Sequence, residues 1–167
     1  MPNWCDNKLT LTGDKGSIQK IVDAKLSFMA LVPPPEGEWD YGWCCQNWGT
    51  KWEPEFNGLE LIDSGDGDGL LKVTFSSAWS PPVEAIATIC AEHNLQGRLE
   101  YFEGGVGFLG VAEFIGQWHV DNTESFHSLD GLEALAKCMG NEIALVNLES
   151  MRDTQADIDE PIESDGW

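Results

Sequence analysis

The stretch that decides the fold is LLKVTFSSAWSPPVEAIATICAEHNLQGRLEYFE, Leu70 to Glu103. Its first third, Leu70 to Ser77, is rich in β-branched and aromatic residues and reads as a strand. Ser80 then stands where an N-cap would, and Pro81 fits the first position of a helix. Val83, Ile86, Ala87 and Cys90 recur at helical spacing, which predicts an apolar stripe ended at Asn94. Alternation returns after Gly97. Leu99, Tyr101 and Glu103 share one face of a second strand, and Arg98, Glu100 and Phe102 share the other. Strand, helix and strand in this order form half of a split βαβ unit.

The flanking sequence supplies the other half. KLTLTG, Lys8 to Gly13, alternates Leu with Thr and predicts a strand closed by glycine. Ile18, Ile21, Val22 and Leu26 follow at helical spacing, with Gly16 weakening the helix start. Leu59 to Ile62 pairs with Leu70 to Ser77 across DSGDGDG as a hairpin. Beyond Glu103, a turn at Gly104–Gly105 leads into another strand, so GRLEYFEGGVGFLGVAEFIGQWHV reads as two strands. SLDGLEALAKCMG predicts a helix capped by Ser128, with Leu129, Leu132, Leu135 and Ala136 buried and Gly140 as its stop. NEIALVNLE is compatible with a helical turn or an edge strand. The expected class is α+β: a ferredoxin-like antiparallel sheet with helices on one face. The expected limits are a domain over 1–120, a C-terminal helical extension over 121–152, and a mobile acidic tail over 153–167.

One insertion, about 33–57, breaks this pattern. PPP at 33–35 forbids a helix interior or central strand. YGWCCQNWGTKW, Tyr41 to Trp52, then brings three of the chain's eight tryptophans with no clean period. A long irregular segment needs anchors, and each buried indole removes about 150–250 Å² from water. Trp43, Trp48 and Trp52 are therefore expected to pin the insertion to the sheet near Trp4 and Trp79. The other reading is a cleft over the helix-free sheet face, with Asn47, Trp48, Lys51, Trp52, Trp79 and Glu103 as its stacking and polar groups. Lys51 is placed to lie over an indole.

Charge is the strongest global signal. The chain has 29 acidic and 9 basic residues, a formal charge of −20. Residues 1–83 carry 12 acids and 6 bases, whereas 84–167 carry 17 and 3; from Asp153 onward there are six acids and no base. Such a surface repels nucleic acid and anionic membranes and attracts basic proteins. Five cysteines without a CxxC pair, an N-terminus without a signal-peptide pattern and no apolar run of membrane length point to a cytoplasmic protein with reduced thiols.

Motifs for catalysis or cofactors are weak. With Gly69 at position six of a calcium loop, Ser64, Asp66 and Asp68 fall at positions one, three and five, but Phe75 occupies the position of the bidentate acid. EGGVGFLG lacks the lysine and following helix of a phosphate loop. His93, His119 and His127 have no metal-ligand spacing, and Glu103 has no neighbouring partner for acid–base work. No catalytic residue, metal or cofactor is expected.

Four motifs, MPNWCDNKLTLTG, NWGTKW, FSSAWSPP and YFEGGVGFLG, occur in this order within residues 1–116. Together they resemble the YubB-like family of plasmid and phage proteins. The resemblance implies a ferredoxin-like fold and a mobile-element origin, and no established activity. Combined with the charge, it leads to the expectation of a non-enzymatic anti-defence protein. Its partner would be a basic, nucleic-acid-binding host protein, with no direct binding of nucleic acid or membrane. Glu133, Glu142, Glu149, Asp153, Asp157 and Asp159 would imitate DNA phosphates. The alternative is a nucleotide- or sugar-binding protein or hydrolase using the Trp-lined cleft. Pairing of two chains through the open sheet face is a third arrangement compatible with the sequence.

Overall fold

The computed structural model describes the backbone of residues 3–56, 58–63 and 67–159, and the side chains of all of these but 63 and 156–159. The first element, β1 (Trp4–Asp14), sends alternate side chains to opposite faces. Cys5, Asn7, Leu9 and Leu11 are buried, and Asp6, Lys8 and Thr10 point the other way. Asp14 caps α1 (Lys15–Asp23) by accepting from the Ser17 N–H at 3.0 Å.

The insertion is not structureless. A one-turn α2 (Phe28–Leu31) leads into it, and it holds a two-turn α3 (Tyr41–Asn47) whose N-cap is Asp40, accepting from the Trp43 N–H at 2.7 Å. The hairpin follows as β2 (Leu61–Asp63) and β3 (Asp68–Ala78). Of the calcium-loop residues, Ser64 and Asp66 lie outside the described residues; among the described ones no cluster suited to a metal occurs.

The next helix, α4 (Val83–His93), ends as expected on Asn94 in the left-handed region at φ 50°. Its N-cap is Pro82, not Ser80. The Ser80 hydroxyl is already engaged, donating to the Gly49 carbonyl at 2.5 Å. Then come β4 (Gln96–Glu103), β5 (Phe108–Ile115) and β6 (Trp118–Ser125). The sequence suggests two strands here, and the structure has three. The expected domain limit at residue 120 falls inside the third, β6, which pairs with β5 over its whole length.

The sheet order is β2-β3-β1-β4-β5-β6, every pair antiparallel. The first four strands have the ferredoxin-like arrangement, and β5 and β6 extend it as a meander. The front face packs on α1 and α4 around Leu9, Leu11, Ile18, Ile86, Leu99 and Phe114. The back face does not stay open. A hairpin of α5 (Leu129–Met139) and α6 (Glu142–Asp159) covers the β4–β5 part of it, burying Phe102 and Leu109 against Leu132, Ala136, Ala144 and Leu148. As expected, Ser128 caps α5 and Gly140 ends it at φ 62°. NEIALVNLE begins an 18-residue helix that runs on through residues 153–159, the first part of the expected tail; 160–167 lie outside the described residues.

Polar contacts fix the hairpin. Arg98 donates to the carbonyls of Met139 and Gly140 at 2.9 and 3.0 Å and pairs with Glu113 at 2.8 Å. Asn141, fully buried, donates to the Tyr101 and Gly110 carbonyls, and its own side-chain oxygen accepts from the Ala144 N–H. Among the described residues no helix is long and apolar enough to cross a membrane.

Candidate functional site

Strand register brings the four sequence motifs to one end of the sheet. Trp4 lies opposite Ala78, and Cys5 opposite Glu103. The Trp79 N–H donates to the Asn3 carbonyl at 2.9 Å. Thr50, nearly fully buried, donates its hydroxyl to the Ala78 carbonyl at 3.0 Å, and the Ala85 N–H reaches the Trp48 carbonyl at 3.4 Å. Residues far apart in sequence thus become one surface.

Within it the tryptophans divide into two groups. Trp48 is completely buried; its ring lies 5.7 Å from Phe28 and 5.9 Å from Trp43, and its Nε1–H donates to the Val32 carbonyl at 2.8 Å. It fills the front-face core and so holds the insertion in place. Asn47, at the end of α3, donates its side-chain amide to the Trp43 carbonyl and closes that helix. Gly49 sits at φ 78°, and a Cβ there would run into Glu84 and the Pro81 carbonyl, so a side chain would be strained and crowded.

The second group faces outward. Trp39, Tyr41, Trp79 and Trp4 are each about half exposed. The Lys51 ammonium lies 4.8 Å from the Trp52 ring centroid, 4.6 Å from that of Trp79 and 6.0 Å from that of Tyr41. Trp39 donates its indole N–H to the Lys51 carbonyl at 3.0 Å. Trp79 holds φ 70°, a backbone region costly for a bulky residue. Beyond Trp52 a cleft of about 580 Å³ opens, walled by Trp4 and Trp52, their rings edge-to-face at 6.3 Å. Glu53 and Glu55 form its rim, and Thr74 and Ser76 lie on its floor.

Glu103 is placed away from this cleft's mouth. It is 1% exposed, and its two carboxylate oxygens accept the Gly105 and Val106 N–H groups at 2.8 and 2.6 Å, which fixes the β4–β5 turn. A second hollow, about 350 Å³, lies on the front side between the start of α4 and β6, where Cys45, Glu84, Tyr101 and Asp121 meet. The Tyr101 hydroxyl donates to Asp121 at 2.6 Å and also meets the Thr123 hydroxyl. Burial, reinforced by Asp121, raises the Tyr101 pKa. These residues carried no sequence signal, because only long-range strand pairing brings them together.

The six acids suggested for partner contact are not equivalent. Glu142 pairs with Lys8, and Glu133 with both Lys137 and Arg152. Their carboxyls lie below the usual range, mainly through hydrogen bonds from these cations. Glu149 and Asp153 are exposed on α6. Asp157 and Asp159 belong to the same helix, and their side chains lie outside those described.

Residues 47–134 match the family model described as the ferredoxin-like domain in Api92-like protein. The chain belongs to the Api92-like family. The matched span begins at NWGTKW and runs through β6, so it contains three of the four motifs that converge here, while β1 and α6 lie outside it. A solved structure, protein api92 from Yersinia pseudotuberculosis, is similar at 20% identity over 53% of this chain and 30% of that one, with a TM-score of 0.40. This chain thus matches under a third of the solved chain's length. No curated protein matches.

Proposed function

We propose that this family member is a non-enzymatic, acidic binding protein directed at a basic, nucleic-acid-binding host protein. In this reading it acts in the cytoplasm against host defence, and its origin on a plasmid or phage, as in YubB-like proteins, is part of the same proposal. The observation that carries it is where the few cations go. Lys8 and Arg98 tie the α5–α6 hairpin to the sheet, Arg152 ties α6 to α5, Lys137 pairs with Glu133 within α5, and Lys51 lies against indole rings. Lys15, Lys20, Lys25 and Lys72 are exposed, but against 29 acidic residues they leave the surface with a large net negative charge. The pairing of Glu133 and Glu142 narrows the phosphate-like set to Glu149, Asp153 and the acids after them. Competition with DNA for a basic surface follows from Coulomb attraction and is steeply salt-dependent. The test is retention of a purified DNA-binding defence nuclease on the immobilised protein across a salt series, with duplex DNA as competitor. Retention that fades with salt and with DNA supports the proposal; retention indifferent to both refutes it.

A second reading rests on the Trp4–Trp52 cleft, whose aromatic walls and hydroxyl floor suit a sugar or nucleotide base. Saturable quenching of Trp fluorescence by such a ligand, lost on Trp52→Ala and kept on truncation after Arg152, favours it over the first.

A further inference from the structure

The cleft beside Trp52 combines features that a sugar site does not require. Glu53 and Glu55 line it beside the indoles, and among the described residues neither forms an ion pair; Lys51 already lies over Trp52, so Trp4 is the wall open to a second cation. Glu53 uses one oxygen to accept the Met29 N–H at 3.2 Å, which orients the carboxylate and leaves the other oxygen available. Thr74 and Ser76 add hydroxyls to the lining; that of Ser76 donates to Asp6 at 2.8 Å, which leaves its oxygen to accept. The cleft also continues. Thr74, Phe75 and Ser76 line a neighbouring hollow of about 310 Å³ that reaches Asp6 and Ile143, at the start of α6. A chain laid along this path would touch the anionic helix at one end and the indoles at the other.

We propose that this cleft takes an arginine side chain from a basic segment of the protein partner, so that the aromatic end anchors what the acidic helix attracts. The inference rests on the protein-binding reading above and specifies its contact surface. A guanidinium is planar and weakly hydrated, stacks on an indole face, and presents several N–H donors to carboxylates and hydroxyls together. An ammonium lacks the plane and the fork. Long-range attraction by the negative charge draws basic segments without distinguishing lysine from arginine; the cleft adds that distinction. Aromatic anchors inside a polar rim are also the usual composition of a binding hot spot.

The experiment titrates the full chain with arginine and lysine nonapeptides of equal charge, following Trp fluorescence and calorimetric heat. The same titrations are run on Trp4→Ala, on Glu55→Gln, and on a variant carrying Glu149→Gln and Asp153→Asn. The expected result is arginine binding about tenfold tighter than lysine, the preference disappearing in Trp4→Ala and in Glu55→Gln. The helix variant should weaken both peptides alike and keep the preference. Both cleft residues are exposed, and thermal melts verify folding; if Trp4→Ala unfolds, Glu55→Gln carries the test. Equal binding of the two peptides, or a preference that survives both cleft changes, overturns the inference while leaving attraction of basic partners standing. Failure of either peptide to bind at low salt overturns both. Quenching by oligosaccharides or nucleotides that arginine peptide does not displace also overturns it.

Discussion

The Lys51 ammonium rests 4.6 Å from the ring centroid of Trp79, a residue whose backbone is held at φ 70°. Trp79 thus combines a strained main chain with a half-exposed ring, and stability alone does not favour that combination. The contact to Lys51 returns some of the cost, about 0.5–1 kcal/mol at an exposed site. A double-mutant cycle of Lys51→Met and Trp79→Ala should yield a coupling of that size in urea melts. Trp79→Gly should be at least 0.5 kcal/mol more stable than Trp79→Ala, since glycine accepts this backbone region at little cost. A coupling indistinguishable from zero would rule out the cation's contribution, and glycine no better than alanine would rule out the backbone's.

Gly110 makes room for Tyr101. They lie directly opposite each other on β5 and β4, and the tyrosine ring and hydroxyl occupy the space a Cβ at Gly110 would need. This explains a glycine in the middle of a buried strand. Gly110→Ala should cost about 1–3 kcal/mol through overpacking, measured by chemical denaturation. Combining it with Tyr101→Ala, which empties the space, should cost less than the sum of the two single changes. Strict additivity would rule out the steric explanation.

How much of this was legible in the sequence depended on whether an element buries one clean face. β1 and β3 alternate because the core takes every second side chain, and α1 and α4 keep helical spacing against that front layer; α5 keeps it against the back face, where it helps to bury β4 on both sides from Leu99 to Glu103. β6 escaped because WHVDNTES is exposed along its whole length and has only one neighbour, so nothing imposes alternation on it. α6 outruns its apolar stripe: Ala144 and Leu148 are buried, whereas the later turns are polar. In α3 two cysteines, two aromatics and a glycine hid the helix. At the site, Lys51 over an indole was legible from its neighbours in NWGTKW. The cleft was not, because Thr74 and Ser76 reach it only through the register of β3 against β1.

The five thiols are all free and differ in environment. Burial pushes Cys5 far above the ordinary thiol range, and pushes Cys90 up to about 12. Cys44 is raised in the same direction, again chiefly by burial. Cys138 is exposed on α5 and Cys45 is half-buried. Native protein treated with iodoacetamide at pH 8 should therefore be labelled first at Cys138. Cys5, Cys44 and Cys90 should react only after denaturation. Peptide mapping that found Cys90 modified ahead of Cys138 would contradict the buried position of α4's inner face.

Acid should loosen the α5–α6 hairpin before it affects the front-face core. Hydrogen bonds from Lys137 and then Arg152 hold the Glu133 carboxyl below its ordinary value of 4.5, and the Lys8 hydrogen bond does the same for Glu142. For a carboxylate whose folded-state pKa is depressed, the unfolded chain takes up protons first as pH falls. The stabilisation is therefore complete above about pH 4.5 and declines below it, disappearing once the folded carboxyl is itself protonated. Glu133→Gln should lower Tm at pH 7, and its Tm should converge with that of the unaltered protein as pH drops well below 4.5. High salt at pH 7 should narrow the same gap, because these pairs are exposed. Melting curves recorded across this range decide the matter: two profiles that stay parallel from neutral to acid pH would mean that Glu133 acts only through packing, and that the ion pairs to Lys137 and Arg152 do not secure α6.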